Sequence, residues 1–282
     1  MVGASQRRSA VRYLAGRYSV SERRGCEVTR TARSTFQYKS IRPSQESLRQ
    51  KIRDLALSRV RYGYKRIHVM LKRQGIHVNK KRVYRLYCEE GLQLRPRRPR
   101  RHVSAATRQP PRTKPRAPNV AWSMDFVSDQ TVEGLRFRAL TVVDVFTREC
   151  LAIEPGKSLR GTDVVNVLSR IVKERGAPKR IYCDNGSEFV GRLVDLWAYA
   201  NSVTMEFSRP GKPTDNAFIE SFNGSLRDEC LNVHWFDDLT DAKEKLQAWR
   251  REYNESRPHR SLDELSPLEF KAQWAENRSE IR

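Results

Sequence analysis

Along the first third of the chain, apolar residues recur three and four positions apart. In SQESLRQKIRDLALSR, residues 44–59, Leu48, Ile52, Leu55 and Ala56 share one helical face, with Ser44 placed to cap the first turn. YKRIHVMLKRQG repeats the spacing with Ile67, Met70 and Leu71 and stops at Gly75. NKKRVYRLYCEEG starts at Asn79, turns Val83, Leu86 and Tyr87 inward, and stops at Gly91. Three short helices with a tight break near Gly75 predict a helix-turn-helix unit, whose third helix would present Lys80, Lys81, Arg82 and Arg85 to a major groove. The competing reading is a small helical bundle with a merely basic surface. VSERRGCEVTRTARSTFQY, residues 20–38, carries a weaker pattern of the same kind.

Residues 94–119 break the periodicity with six prolines and no acidic residue, which predicts an extended basic linker. Beyond it the period drops to two. In VAWSMDFV, Val120, Trp122, Met124 and Phe126 alternate with Ala121, Ser123, Asp125 and Val127, so Asp125 shares a strand face with small residues. FRALTVVDVFT and ECLAIEP predict two more strands. After them come helix TDVVNVLSRIVKERG, capped at Thr162 and stopped at Gly176, strand KRIYC, helix EFVGRLVDLWAYA, strand VTMEFS, loop RPGKPTDN and helix AFIESFNGSLRDECL. Three consecutive strands imply antiparallel pairing and the later alternation implies parallel crossovers. Together they predict an α/β fold with a mixed sheet and flanking helices, preceded by an all-α region. Leu239, Ala242, Leu246, Trp249 and Tyr253 form a later helical stripe, read as core or subunit packing.

Charge adds what periodicity does not. The 282 residues carry a net charge of +22, but residues 1–119 hold 32 Lys+Arg against 6 Asp+Glu, and the rest hold 23 against 27. So one-sided a field implies a polyanionic partner, most simply nucleic acid. The length favours two or more domains. No apolar run approaches the roughly 20 residues of a bilayer span, and the N-terminal text lacks the apolar core of a secretory signal, so a soluble intracellular protein is expected. The five cysteines are scattered without a CxxC pair, which argues against a disulfide framework or a cysteine-rich zinc site, and the histidines do not pair at zinc-finger spacing.

Three acidic residues stand out by position: Asp125 on the first strand, Asp184 just past the fourth, and Glu220 in the helix after the fifth. On that helix Ile219, Phe222, Leu226 and Cys230 form an apolar stripe, while Asn216, Glu220, Asn223 and Arg227 line another face. Converging carboxylates repel one another, a penalty relieved by hard divalent cations bound through oxygen. Two such ions suit displacement at phosphorus. Asp163 and Asp215 read as helix caps, and Glu188 as a residue that starts a helix favourably against its dipole. Asp144 is a rival ligand with no evident partner. His259 reads equally as a DNA contact or as part of a local turn. Asn185 and Gly186 shape the turn that presents Asp184, with glycine supplying backbone freedom.

WSMDF around Asp125, CDNGSEF around Asp184, GKPTDNAFIESFNGSLRDECL around Glu220, and YNESRPHRSLDELSPLEF at 253–270 together resemble the DDE transposases of bacterial insertion sequences. The likeness is greatest to the second-frame product of the insertion sequence 3 family, relatives of retroviral integrases. Asp184 and Glu220 are separated by 35 residues, the spacing of that family. The resemblance runs from about residue 40 to 272. It implies a ribonuclease-H-like five-stranded core with Asp125, Asp184 and Glu220 as ligands of two Mg2+ or Mn2+ ions, and DNA cleavage and strand transfer at terminal inverted repeats. It also implies a DNA contact from Arg227, whose counterpart in the family lies near the active site; DNA contacts are expected as well from Lys65, Arg66, Lys80, Lys81, Arg82, Arg85, Lys212, Asn216 and Asn223. The expected organisation is an N-terminal helical DNA-binding segment at 1–40, a helix-turn-helix domain at 41–93, the linker at 94–119, the catalytic core at 120–232 and a helical extension at 233–282. Partners would be double-stranded DNA, further copies of the chain on DNA, and an upstream-frame protein or fusion, in the bacterial cytoplasm at the nucleoid. Two other functions stay open at this point: a non-enzymatic DNA-binding regulator and a plain nuclease on the same fold.

Overall fold

The computed structural model describes residues 3–39, 45–94, 115–209 and 216–279, and the chain divides into two compact units at residues 48 and 49. Ser44, Lys212, Asp215 and most of the basic linker lie outside the described residues. The first unit holds α1 (Ala4–Tyr18), α2 (Glu22–Val28) and α3 (Arg33–Gln37), and buries Val11 and Cys26. Gly25 lets α1 and α2 approach, since a Cβ there would lie 3.2 Å from the Val11 side chain.

The division falls in the first turn of α4 (Glu46–Ser58), and the second unit continues with the rest of that helix, α5 (Tyr64–Arg73) and α6 (Lys80–Glu89). Ile52, Ile67, Leu71, Val83 and Leu86 are fully buried between them, each contributing about 1.5–3 kcal/mol of apolar burial. Asn79 Oδ1 caps α6 by accepting the Lys81 N–H at 2.8 Å, and Gly75 and Gly91 close α5 and α6 at positive φ. Glu90 receives Arg49 at 2.6 Å and Arg53 at 2.9 Å, tying α4 to the end of α6.

Five strands follow: β1 (Ala121–Gln130), β2 (Arg136–Asp144), β3 (Cys150–Gly156), β4 (Arg180–Cys183) and β5 (Thr204–Phe207), in the sheet order β3-β2-β1-β4-β5. β1, β2 and β3 pair antiparallel, and β4 and β5 run parallel to β1, the mixed sheet of a ribonuclease-H-like core. Strand alternation gives the sheet two dry faces. Trp122, Met124, Leu140 and Val142 pack against α7 (Gly161–Arg175) and α9 (Arg192–Ala200) through Val164, Leu168, Val194 and Trp197. Val127, Ala139, Val143 and Ile153 pack against α10 (Ala217–Leu226) and α11 (Leu239–Glu255) through Ile219, Phe222, Leu226, Leu246 and Trp249. The 239–253 stripe is therefore core. Among the described residues no helix is long and apolar enough to cross a membrane.

Local departures from the sequence reading have physical causes. Residues 187–200 form two helices, α8 (Ser187–Val190) and α9, because Gly191 is extended at φ −67°, ψ 146°. α7 starts one residue before Thr162, and its cap is Asp163, whose Oδ2 accepts the Arg160 N–H at 2.8 Å. The helix bearing Glu220 widens into a π turn over Arg227–Leu231. A final helix, α12 (Pro267–Ser279), follows a short 3₁₀ turn at Arg260–Leu262.

Candidate active site

Register brings the first two carboxylates together. β1 and β4 are parallel neighbours with Ser123 opposite Tyr182, so two residues further on each chain Asp184 comes level with Asp125. Asp125 is half-buried and tightly held. Its Oδ1 accepts the Phe126 N–H at 2.8 Å, and its Oδ2 accepts Asn223 Nδ2 from α10 at 2.9 Å. The Thr141 hydroxyl, opposite Asp125 on β2, lies 3.0 Å from Asp125 O and 2.9 Å from Asn223 Oδ1, completing a small network between strand and helix.

Asp184 is exposed just past β4, where its Oδ1 accepts the Gly186 N–H at 3.0 Å in a tight side-chain turn. Asn185 Nδ2 donates to Ser208 O at 2.7 Å, anchoring that turn to the end of β5. Gly186 is needed for room rather than for a left-handed backbone. Its φ is −58°, but a Cβ would stand 3.0 Å from Asp184 Oδ1 and 3.3 Å from Glu188 Oε2. Glu220 sits exposed in the first turn of α10, next to buried Ile219.

Asp125 senses the other two acids. Burial, followed by the charges of Asp184 and Glu220, pushes Asp125 up to about 6, against the hydrogen bonds from Phe126 and Asn223. Among the described residues no three His, Cys, Asp or Glu side chains are gathered closely enough to hold a metal ion, so the three carboxylates do not form a closed cage. An all-oxygen, mutually repelling donor set nonetheless has the chemistry a hard divalent cation requires.

The other residues singled out from sequence divide. Lys65, Lys80, Lys81, Arg82 and Arg85 are exposed on α5 and α6, with Arg85 3.5 Å from Glu89. Arg66 is turned instead to Glu229 at 3.1 Å. Asn216 is buried, its Oδ1 accepting the Ser123 hydroxyl and its Nδ2 3.4 Å from Met124 O. It and Asn223 thus stitch α10 to β1. Arg227 Nη2 donates to Ser128 O at 2.9 Å beside the same strand. Asp144 is not a partnerless ligand: it is buried, and it accepts the N–H groups of Asn119, Phe146 and Thr147 at 2.6–2.9 Å, organising the turn after β2. His259 is buried against Tyr253 and beside Arg257. Burial and the nearby charges of Arg257, Arg66 and Arg148 pull it down to about 2, which makes it a neutral structural group.

Sequence reasoning missed Arg257 and Glu229, which pair through two contacts of 2.7 Å, as well as Arg138, which pairs with Glu188. The one available signal was Arg138 itself, a second arginine two residues into β2 on the face of Leu140. Between Arg61 and Arg66 of the helical module and the polar face of α10 opens a groove of about 730 Å³, lined also by Glu220, Ser221, Asp228 and Arg257.

Family models agree with this layout. Integrase core domain models match residues 115–213 and 201–267, and an HTH-like domain model matches residues 43–100. The fold and these matches define a polynucleotidyl transferase with an integrase core. A 31.7 kDa protein of insertion element IS407 from Burkholderia multivorans is 46% identical over 90% of this chain and 91% of its own length. The transposase of insertion sequence element IS904 from Lactococcus lactis is 29% identical over 81% and 97%. A looser likeness, with TM-score 0.45 and 14% identity over 55% of this chain and 98% of the other, joins it to the HTLV-2 integrase catalytic core domain in complex with magnesium. The chain belongs to the insertion-sequence transposases, of insertion sequence 3 type.

Proposed function

We propose that Asp125, Asp184 and Glu220 are the catalytic carboxylates, and that they hold two Mg2+ or Mn2+ ions for DNA cleavage and strand transfer at the terminal inverted repeats of the element. The observation that carries this reading is the register of the parallel strands β1 and β4, which brings Asp184, just past the end of β4, level with Asp125, with Glu220 near enough to perturb Asp125. Ions bound there would activate the attacking oxygen and stabilise the leaving one.

The rest of the work falls to the chain. Asn223 fixes the orientation of Asp125, the Gly186 N–H fixes that of Asp184, and the apolar stripe of α10 fixes the direction of Glu220. The groove beside Glu220 offers Arg61 to a phosphate backbone. In the first step a water oxygen bonds to phosphorus at the element end, and the ester oxygen leaves as a 3′-hydroxyl. In the second that 3′-oxygen bonds to a target phosphorus and displaces a target 3′-hydroxyl. The exposed cations of α6 engage the element ends, and Arg227, whose guanidinium meets Ser128 O on β1, adds a further DNA contact. Handling two ends together calls for at least two copies of the chain on double-stranded DNA, with an upstream-frame protein or fusion as a further partner, at the bacterial nucleoid.

The test is incubation of labelled element-end DNA with target DNA and Mg2+, comparing wild type with Asp184→Asn. Joined products that disappear in the variant while end binding persists support the proposal. Cleavage without joining indicates a nuclease, and binding without chemistry indicates a regulator.

A further inference from the structure

Arg138 of β2 makes two contacts at once. Its guanidinium carbon lies 4.1 Å from the centre of the Phe126 ring, and its Nη1 donates to Glu188 Oε1 in an ion pair. Phe126 in turn stacks on Phe189 with ring centres 4.9 Å apart and planes 10° from parallel. Phe126 pairs with Leu140 across the β1–β2 ladder, so Arg138 is its diagonal neighbour, within reach of a long side chain. Glu188 is held from its own loop by the Ser187 hydroxyl at 3.0 Å, and Arg138 keeps its carboxyl below the ordinary range.

These contacts join the two segments that carry Asp125 and Asp184. Phe126 directly follows Asp125, and Glu188 and Phe189 follow Asp184 by four and five residues. Gly186 is squeezed between the carboxylates of Asp184 and Glu188. The loop after β4 is therefore pinned on one side by Asn185 to β5 and on the other by Glu188 to β2. Resting on the assignment of Asp125 and Asp184 as ligands, we infer that Arg138 is a positioning residue: through Glu188 and the Phe126–Phe189 stack it sets the spacing at which those two carboxylates receive a divalent cation.

An ion pair this exposed adds little to global stability, with side chains 36% and 20% accessible. Its loss should appear in metal affinity before it appears in melting. The experiment measures Mn2+ binding to the full chain by equilibrium dialysis, with thermal melting alongside, for wild type, Arg138→Gln, Glu188→Gln, Arg138→Lys and Asp184→Asn. Loss of partners that orient metal ligands weakens affinity roughly 10–100-fold. That loss is expected in Arg138→Gln and Glu188→Gln with melting almost unchanged. Arg138→Lys, which keeps a cation over Phe126 and beside Glu188, should recover most of it. Wild-type Mn2+ affinity in Arg138→Gln would overturn the inference provided Asp184→Asn has lost binding, and so would a loss that tracks melting and is not rescued by lysine. If Asp184→Asn itself binds Mn2+ as wild type does, the ligand assignment fails and the inference with it.

Discussion

Arg66 of α5 donates to Glu229 at 3.1 Å, and Glu229 stands in the π turn that directly continues the helix bearing Glu220. The same carboxylate takes Arg257 Nε and Nη2 at 2.7 Å each, with Arg257 only 4% exposed. One acid thus joins the helical module of α4–α6 to the helix that bears Glu220. Arg59 with Glu252 at 2.7 Å and Arg73 with Ser256 O at 2.7 Å extend the same junction. A module so attached presents its cations at a set distance from Glu220.

The burial of Arg257 predicts an order of costs. Glu229→Gln strands a buried guanidinium without its carboxylate, which costs about 3–5 kcal/mol. Arg66→Ala removes a partly exposed partner and leaves the Arg257 pair intact, so its cost should be smaller. Urea denaturation of both variants checks this, and equal losses would contradict the assignment of Arg257 as the main partner.

Asp125 predicts a trade between function and stability. Burial, then the repulsion of Asp184 and Glu220, raises it to about 6, so above that pH its charged form destabilises the metal-free fold. Its favourable contribution is complete below the ordinary value of 3.8 and is lost as pH rises through about 6. In the presence of chelator, Asp125→Asn should therefore raise stability on the order of 2 kcal/mol at pH 8, with no gain near pH 3. Melting curves at the two pH values measure it.

Glu149 has the opposite sign. Burial would raise it, but two hydrogen bonds from Arg175, at 2.8 and 2.9 Å, and Lys271 at 3.0 Å carry it below its ordinary 4.5. Its stabilisation is present above pH 4.5 and is lost as pH falls through the lowered value. Glu149→Gln should cost about 3 kcal/mol at pH 7, and the gap from wild type should close in acid. A gap that persists at pH 2–3 would locate the effect in packing instead.

The exposed lysines of α6 predict a salt signature. Lys81→Ala should weaken binding to element ends and to unrelated duplex alike, and should lower the log–log salt slope by about 1. Arg85, already shared with Glu89, should matter less. Titrations at several salt concentrations give both slopes.

How far these residues were legible in the sequence depended on how local their causes are. Alternation along β1 was enough to put Asp125 on the face of Ser123 and Val127, and the stripe of Ile219, Phe222, Leu226 and Cys230 was enough to turn Glu220 away from the core. The mixed pairing, antiparallel and then parallel, followed from three consecutive strands and then alternating helices, whereas the full order β3-β2-β1-β4-β5 came from the structure. Arg138 and Glu188 lie 50 residues apart, and nothing near either one announces the other until β2 and the loop after β4 are placed around β1. Asn216 and Asn223 read as part of a polar face because they share it with Glu220. Only the docking of α10 onto β1 turns those two amides inward, where they meet Ser123 and Asp125, while Glu220 stays exposed. The break at Gly191 and the π turn after Leu226 likewise belong to packing, since the hydrophobic period runs through both.

The central claim is that Asp184 acts as a metal-binding carboxylate in strand transfer. It is tested most directly by joining rates for wild type, Asp184→Asn and Asp184→Cys in Mg2+ and in Mn2+, at DNA concentrations that saturate end binding. Both variants should lose joining in Mg2+ on the order of a thousandfold, about 4 kcal/mol in barrier. Asp184→Cys should regain part of it in Mn2+, which accepts sulfur more readily than Mg2+ does. Joining at the wild-type rate in Mg2+ by either variant would contradict the account.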